Sequence, residues 1–590
     1  MARRRTISFS FLSAATVFLV SAAACGTAAP PQPREAADVQ VRQLADTFLA
    51  AYFDRYPEQA TLYGVPGRRH DHLTDNSLVA QKTWEAREDA WLAAIRKIDP
   101  HTIGAAPLRA TYAIVRQTIE GDVAKRVCRD ELWNVSQMTG WQVNDGYLVT
   151  IQPVGSDDAR KDALARWGAL PKYIDTEIAN LGEGLKLGYT APTQNVRIVI
   201  DQIRSLASTP VKDSPFDSPS QRDKTPEFQK AFDALVADTI NPAAARYADY
   251  LEKEYLPAAR EATAVSANPN GAACYDASVL SHSSSAKTAK EVHALGLQQI
   301  DQLTAQMREI AERSFKTSDV AAALQELRVS PKYKFKDRAE KIAYSQAALA
   351  RAKLTIPQWF GLLPKADVVI TPYPAFREKN APNEYNPPAE DGSRPAVFFI
   401  SAYQAEKQSR VEDESTAFHE TIPGHHLQGS IALERKDIHP IGRYIFNSGY
   451  VEGWALYAET LADEMKLFTG DVDRMGLLSS QALRAARLVV DSGLHTMGWT
   501  RQQAIDYMMA HTAESEHDVT SEVDRYIIWP GQATAYMIGK IEISAARDEA
   551  REIMGGTFNI KAFHDRVLED GGVPLTYLRE KIRVWASGMK

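Results

Sequence analysis

Eight consecutive residues, His419-Glu420-Thr421-Ile422-Pro423-Gly424-His425-His426, set three imidazoles and a carboxylate around a proline. Neutral imidazoles and a carboxylate suit zinc, whose catalytic sites take three protein ligands and leave a position for water. A Glu beside the first His is where a zinc hydrolase needs its general base. The usual spacing, H-E-x-x-H, works because residues four apart share one helical face. Here the fourth position is Pro423, which cannot ligate. Its missing N–H also opposes a regular helix through the motif. Two imidazoles compete to be the second ligand. At about 100° per residue, His426 would lie roughly 20° from His419 and His425 roughly 120° away. Periodicity therefore points to His426. A bulge at Pro423-Gly424 absorbing two residues points to His425. The reading takes His425 as ligand and keeps His426 as the alternative.

The chain of 590 residues is long enough for two domains or one large two-lobed unit. Its net charge of -7 argues against a nucleic-acid partner, which calls for a basic surface. At the N-terminus, Arg3, Arg4 and Arg5 precede an apolar run from Ile7 to Val20 and then Ser21-Ala22-Ala23-Ala24-Cys25. That order reads as an export signal over residues 1–24, placing the protein in the periplasm or cell envelope. Small residues before Cys25 fit lipidation of that Cys, a lipid anchor being the one membrane contact expected. Ala22 stands where a Leu is usual, so plain cleavage after Ala24 or Ala29 stays open. In an oxidising compartment the two other cysteines, Cys128 and Cys274, are expected to form a disulfide.

Residues 25–37 read as a tether rich in Pro and Ala. Helical periodicity then recurs, at Val41, Leu44, Phe48 and onward, through 78–98, 106–119, 157–181, 228–255, 287–314 and 338–354. The intervals Thr209–Thr225 and Asn268–Ser285 read as loops. Two β-favouring runs, Val368–Ile370 and Val397–Ile400, flank a Pro-rich crossover and predict a small sheet beside the cleft. An edge strand there could bind an extended substrate. The organisation is an N-terminal helical region, 38–270, and a helical region with the sheet, 285–590.

The motif continues as Leu427-Gln428, and the whole string resembles the hallmark of a bacterial family, domain of unknown function 885. Further segments match it: Cys128-Arg129-Asp130-Glu131-Leu132-Trp133-Asn134, Glu452-Gly453-Trp454-Ala455, Asp491-Ser492-Gly493-Leu494-His495, and Arg525-Tyr526 with Pro530-Gly531-Gln532. The resemblance implies a mainly α, two-lobed protein akin to zinc peptidases that use two His and a distant Glu. It implies no particular substrate.

Glu452 opens one matching segment and is taken as the third metal ligand, with His419 and His425. Glu459, seven residues on, lies on the same helical face. It suits a role accepting the other N–H of a ligating imidazole. Glu420 is the expected general base. An oxyanion needs donors besides the metal, and Tyr536 and His495 are the candidates. Asp491, four residues before His495, is placed to orient it. Arg525 suits a substrate carboxylate, and Gln532 is a second substrate-binding candidate. The reading is an exported zinc metallopeptidase acting on small peptides. A zinc amidase or esterase would use the same groups, and a non-catalytic metal-binding envelope protein would have no need for Glu420. Oligomeric state is not legible.

Overall fold

The computed structural model describes residues 33–373, 378 and 383–589. The expected signal, most of the tether and Cys25 lie outside them. The protein is mainly α, with one three-stranded sheet. The expected helices form, many of them begun by a side-chain cap. Thr288 and Glu291 make a reciprocal capping box ahead of Ala289–Ile310. Asp337 accepts from the Glu340 N–H ahead of Arg338–Thr355. No helix of the described residues is long and apolar enough to cross a membrane.

The sheet has the order β1-β3-β2. Strand β1 (Val368–Pro372) runs parallel to β3 (Ala396–Ile400), and β2 (Glu384–Asn386) pairs antiparallel with β3 in the register Tyr385 opposite Phe398. On β3, Ala396, Phe398 and Ile400 are buried and the residues between them are not, the alternation of a strand covered on one face. β2 lies inside the Pro-rich segment read as a crossover.

Asn268–Ser285 is not a loop. Gly271–Ser283 is a helix with Cys274, Tyr275 and Val279 buried. Its Ser, Ala and Gly content hid an apolar face that packs on Ala106–Lys125. Cys274 on this helix is joined to Cys128 in a disulfide. The far end of the helix meets Asn447: the Asn447 amide donates to the Ser281 carbonyl at 3.0 Å. Asn447 in turn caps Ser448–Glu464, its side chain accepting from the Gly449 N–H.

Buried apolar side chains form two cores. One gathers Trp141, Trp167, Tyr247, Leu303 and Leu483; the other gathers Phe48, Trp84, Ile119, Phe398 and Phe563. Each draws on both sides of the 270/285 boundary, so the cores do not divide where the loop composition does. Helix Ser448–Glu464 gives Leu456 to the first core and Trp454 and Tyr457 to the second. It crosses helix Ala535–Met554 at glycines. A Cβ on Gly539 would stand 1.8 Å from the Gly449 carbonyl oxygen and 2.7 Å from the Gly453 Cα. Only glycine permits so close an approach.

Candidate metal centre

The motif breaks as the proline demands. Helix Asp413–Glu420 ends with His419 and Glu420 in its last turn, and a new helix, His425–Glu434, begins at His425. Between them the Ile422–Pro423 peptide is cis. The Gly424 N–H donates to the Phe418 carbonyl at 3.0 Å, closing six residues where a helix closes four. A Cβ on Gly424 would meet the His419 carbonyl oxygen at 1.9 Å, which reserves the position for glycine. Pro-Gly therefore takes up two extra residues, and His425 swings beside His419, the rings 4.7 Å apart and edge to face.

Both imidazoles converge on Glu452. Its Oε2 lies 3.6 Å from His419 Nε2 and 3.4 Å from His425 Nε2. Ligands about 2.0–2.1 Å from a tetrahedral zinc stand roughly 3.3 Å apart, so the donors fit such an ion. One ligand atom each from His419, Glu420 and His425 also falls within 4.8 Å of the others. His419 Nδ1 donates to Glu459 Oε1 at 2.7 Å, which directs the Nε2 lone pair toward the centre. Glu459 is fully buried. Its other oxygen accepts from Ser415, Ser480 and Gln481 at 3.0, 3.0 and 2.8 Å. Burial opposes charge on Glu452, yet the His419 and His425 contacts hold its carboxyl well below the usual range. Burial likewise opposes charge on His419, but Glu452 and Glu459 raise it to about 9. The pocket favours a cation at this point, and a metal ion competes with that proton.

Glu420 is raised from the ordinary carboxylate value, chiefly by burial. Its Oε2 accepts from the Tyr385 N–H at 3.0 Å. This contact ties the carboxylate to β2 and shows that Tyr385 turns its N–H away from β3. In an antiparallel pair the carbonyl of the same residue faces the same way, so the Tyr385 carbonyl also points to the side of the centre.

Several expectations change. His426 is not placed as a ligand. Its Nε2 donates to the Ala366 carbonyl at 3.0 Å, and its Nδ1 is 3.2 Å from both the Tyr385 hydroxyl and Ser430 Oγ. Helical phase favoured it only if the helix ran on, and it does not. His495 is a core residue rather than an oxyanion donor. Its Nδ1 accepts from the Val265 N–H and its Nε2 donates to the Tyr526 carbonyl, both at 3.0 Å, and burial lowers it to about 4. Asp491 does not orient it, because both ring nitrogens are engaged elsewhere. Asp491 accepts from the Gly531 N–H at 3.1 Å, and burial raises it to about 7.

Tyr536, Arg525 and Gln532 are brought together. Arg525 Nη2 donates to Gln532 Oε1 at 2.7 Å and lies 3.4 Å from the Tyr536 hydroxyl. Tyr536 is raised by burial and then by the Glu452 carboxylate, so its phenol stays protonated as a donor. Tyr536 stands one turn before Gly539 and Glu452 one residue before Gly453, which puts both at the glycine crossing. Sequence reasoning missed Ser480, Gln481, Arg484 and Arg487. Their signal is polar residues at helical spacing in the otherwise apolar run of Asp471–Thr496. It missed Tyr385 as well, whose contribution is a backbone N–H and leaves no sequence trace. Cys128, Asp130 and Cys274 are also close enough to surround an ion. Their sulfurs are consumed in the disulfide, and a metal needs thiolates.

The model of a family of bacterial proteins of unknown function, DUF885, matches residues 57–582. The chain belongs to the DUF885 family. The matched span holds every site residue described above. No curated protein matches the chain. Among solved structures, this DUF885 protein resembles "the putative lipoprotein from Colwellia psychrerythraea", with a TM-score of 0.87 and 24% identity over 94% of this chain and 100% of that one. It also resembles "a putative lipoprotein of unknown function from Shewanella oneidensis", with a TM-score of 0.72 and 17% identity over 92% and 99%. At these identities the likeness concerns the fold.

Proposed function

We propose that this DUF885 protein is an exported zinc-dependent hydrolase, a metallopeptidase cleaving amide bonds of small peptides. The observation that carries the reading is the convergence of His419 Nε2 and His425 Nε2 on Glu452 Oε2, with Glu420 beside them. His419, His425 and Glu452 would hold the ion, and Glu459 would fix the His419 tautomer. Zinc bound there supplies Lewis acidity toward a carbonyl and toward water. Glu420 takes the proton of the attacking water and passes it to the leaving amine. The Tyr536 phenol donates to the oxygen that becomes negative as the carbonyl turns tetrahedral. The Tyr385 carbonyl on that side of β2 can accept from the N–H of an extended chain, which favours a peptide over other carbonyl substrates. The N-terminal signal supports an envelope location, and Cys25 a lipid anchor there.

The test is a peptide-library digest by full-length protein, read by mass spectrometry with and without a chelator. New cleavage products that vanish with chelator and return with zinc are expected. Stoichiometric zinc without any cleavage would leave a metal-binding protein and overturn the peptidase reading.

A further inference from the structure

Beside the metal centre two guanidinium groups share one carboxylate. Arg487 lies on the same stripe of helix Asp471–Thr496 as Ser480 and Gln481, the residues that hold Glu459. Its side chain is 4% exposed. Arg487 Nη2 donates to Glu522 Oε2 at 2.7 Å, and its Nε donates to the Tyr526 hydroxyl at 2.9 Å. Arg525 Nη1 donates to the same Glu522 at 3.1 Å, and the Tyr526 hydroxyl donates to it too. Glu522 alone answers both guanidinium groups, so the group keeps one positive charge in excess. Arg487 Nη1 is buried and has no hydrogen-bond partner among the described residues.

Both cations lie over the Tyr536 ring. The Arg487 guanidinium carbon stands 4.4 Å from its centroid and that of Arg525 5.8 Å. Tyr536 and Arg525 are both partly exposed, which opens the Arg525 side of the group to an anion. A buried charge without a partner is costly, and an orphaned donor adds to that cost. The ligand that relieves both is a planar, two-oxygen anion, the match for a guanidinium fork.

We propose that Arg487 and Arg525 form a subsite for a substrate carboxylate, so that the preferred peptides carry one near the scissile bond. The inference rests on the hydrolase reading and narrows it. A C-terminal carboxylate and an acidic side chain offer the same chemistry, and the test separates them.

Three matched peptides are compared on the zinc-loaded full-length protein: a free acid, its C-terminal amide, and an amide ending in Glu. The acid should exceed the plain amide in kcat/KM by roughly 10- to 100-fold, the range of one charged hydrogen-bonded contact. The third peptide matches the acid if a side chain can fill the subsite and matches the plain amide if only a chain terminus can. Arg525→Lys and Arg487→Gln should each narrow the ratio. Calorimetric binding of the same peptides to Glu420→Gln protein reads the subsite without turnover. Should no peptide be cleaved at all, an acid preference in binding would keep the subsite while the hydrolase reading fell. Equal binding and equal cleavage of all three would overturn the subsite and leave the hydrolase standing.

Discussion

Gly539→Ala tests the helix crossing that sets Glu452 beside Tyr536. The new Cβ would lie 1.8 Å from the Gly449 carbonyl oxygen. A carbon and a carbonyl oxygen need about 3.3 Å, so the helices must part by roughly 1.5 Å. The opposing atoms are backbone and cannot rotate aside. Overpacking of this kind costs about 1–3 kcal/mol, and rigid backbone puts the site at the upper end. Ala gains about 1 kcal/mol of helix propensity, leaving a net loss near 2 kcal/mol. Gly182→Ala is the control. It lies in helix Leu170–Leu187, and its Cβ would meet only the Tyr250 hydroxyl, at an ordinary 3.6 Å. Propensity alone should then act, stabilising by up to about 1 kcal/mol. Unfolding entropies near 2 cal/mol/K per residue make about 1 °C per kcal/mol in a chain this long, so calorimetry of the pair should show shifts of opposite sign. Equal shifts upward in both variants would refute the close crossing. Because Gly453 adjoins Glu452, zinc should also bind more weakly to Gly539→Ala and unchanged to Gly182→Ala.

The remaining predictions concern the centre and acid stability. Zinc content after purification should fall in His419→Ala, His425→Ala and Glu452→Ala and persist in His426→Ala; retention in His425→Ala with loss in His426→Ala would reverse the ligand assignment. Glu420→Gln should keep zinc and lose about 10²–10⁴ in turnover, whereas loss of zinc would make Glu420 a ligand. Glu459→Gln should weaken zinc about 10–100-fold in chelator competition, and wild-type affinity would remove Glu459 from the design. His564 accepts from the Tyr457 hydroxyl and donates to the Trp359 carbonyl, and burial lowers it from 6.5 to about 3. Its folded form stays neutral where the unfolded chain takes a proton. It thus contributes stability fully present above pH 6.5 and lost as pH falls toward 3. His564→Gln should flatten the melting-temperature decline across that window, and an unchanged slope would disprove it.

The candidate ligand cluster was legible because it is mostly local: imidazoles, a carboxylate and a proline within eight residues. The choice between His425 and His426 was a question about whether one helix continues, and Pro423 answers it only once the Gly424 contact to Phe418 is seen. The helix Gly271–Ser283 was hidden by Ser and Gly, residues that mark loops unless tertiary packing overrides them. His495 matched a family segment and sat four residues from Asp491, yet its partners, Val265 and Tyr526, are distant in sequence. Arg487 carried no signal of its own, since a single sequence does not tell which stripe of a long helix faces inward on a second helix.

The bridge between Cys128 and Cys274 bears on how the protein must be prepared. It closes a loop with a sequence separation of 146, for which chain entropy gives about 5 kcal/mol. The bridged helix ends against Asn447, the cap of the helix that carries Glu452. Protein made in a reducing cytosol lacks that constraint beneath Glu452, a proposed metal ligand. Thiol content therefore belongs beside every zinc measurement, since sulfurs as well as histidines bear on how a sample takes metal.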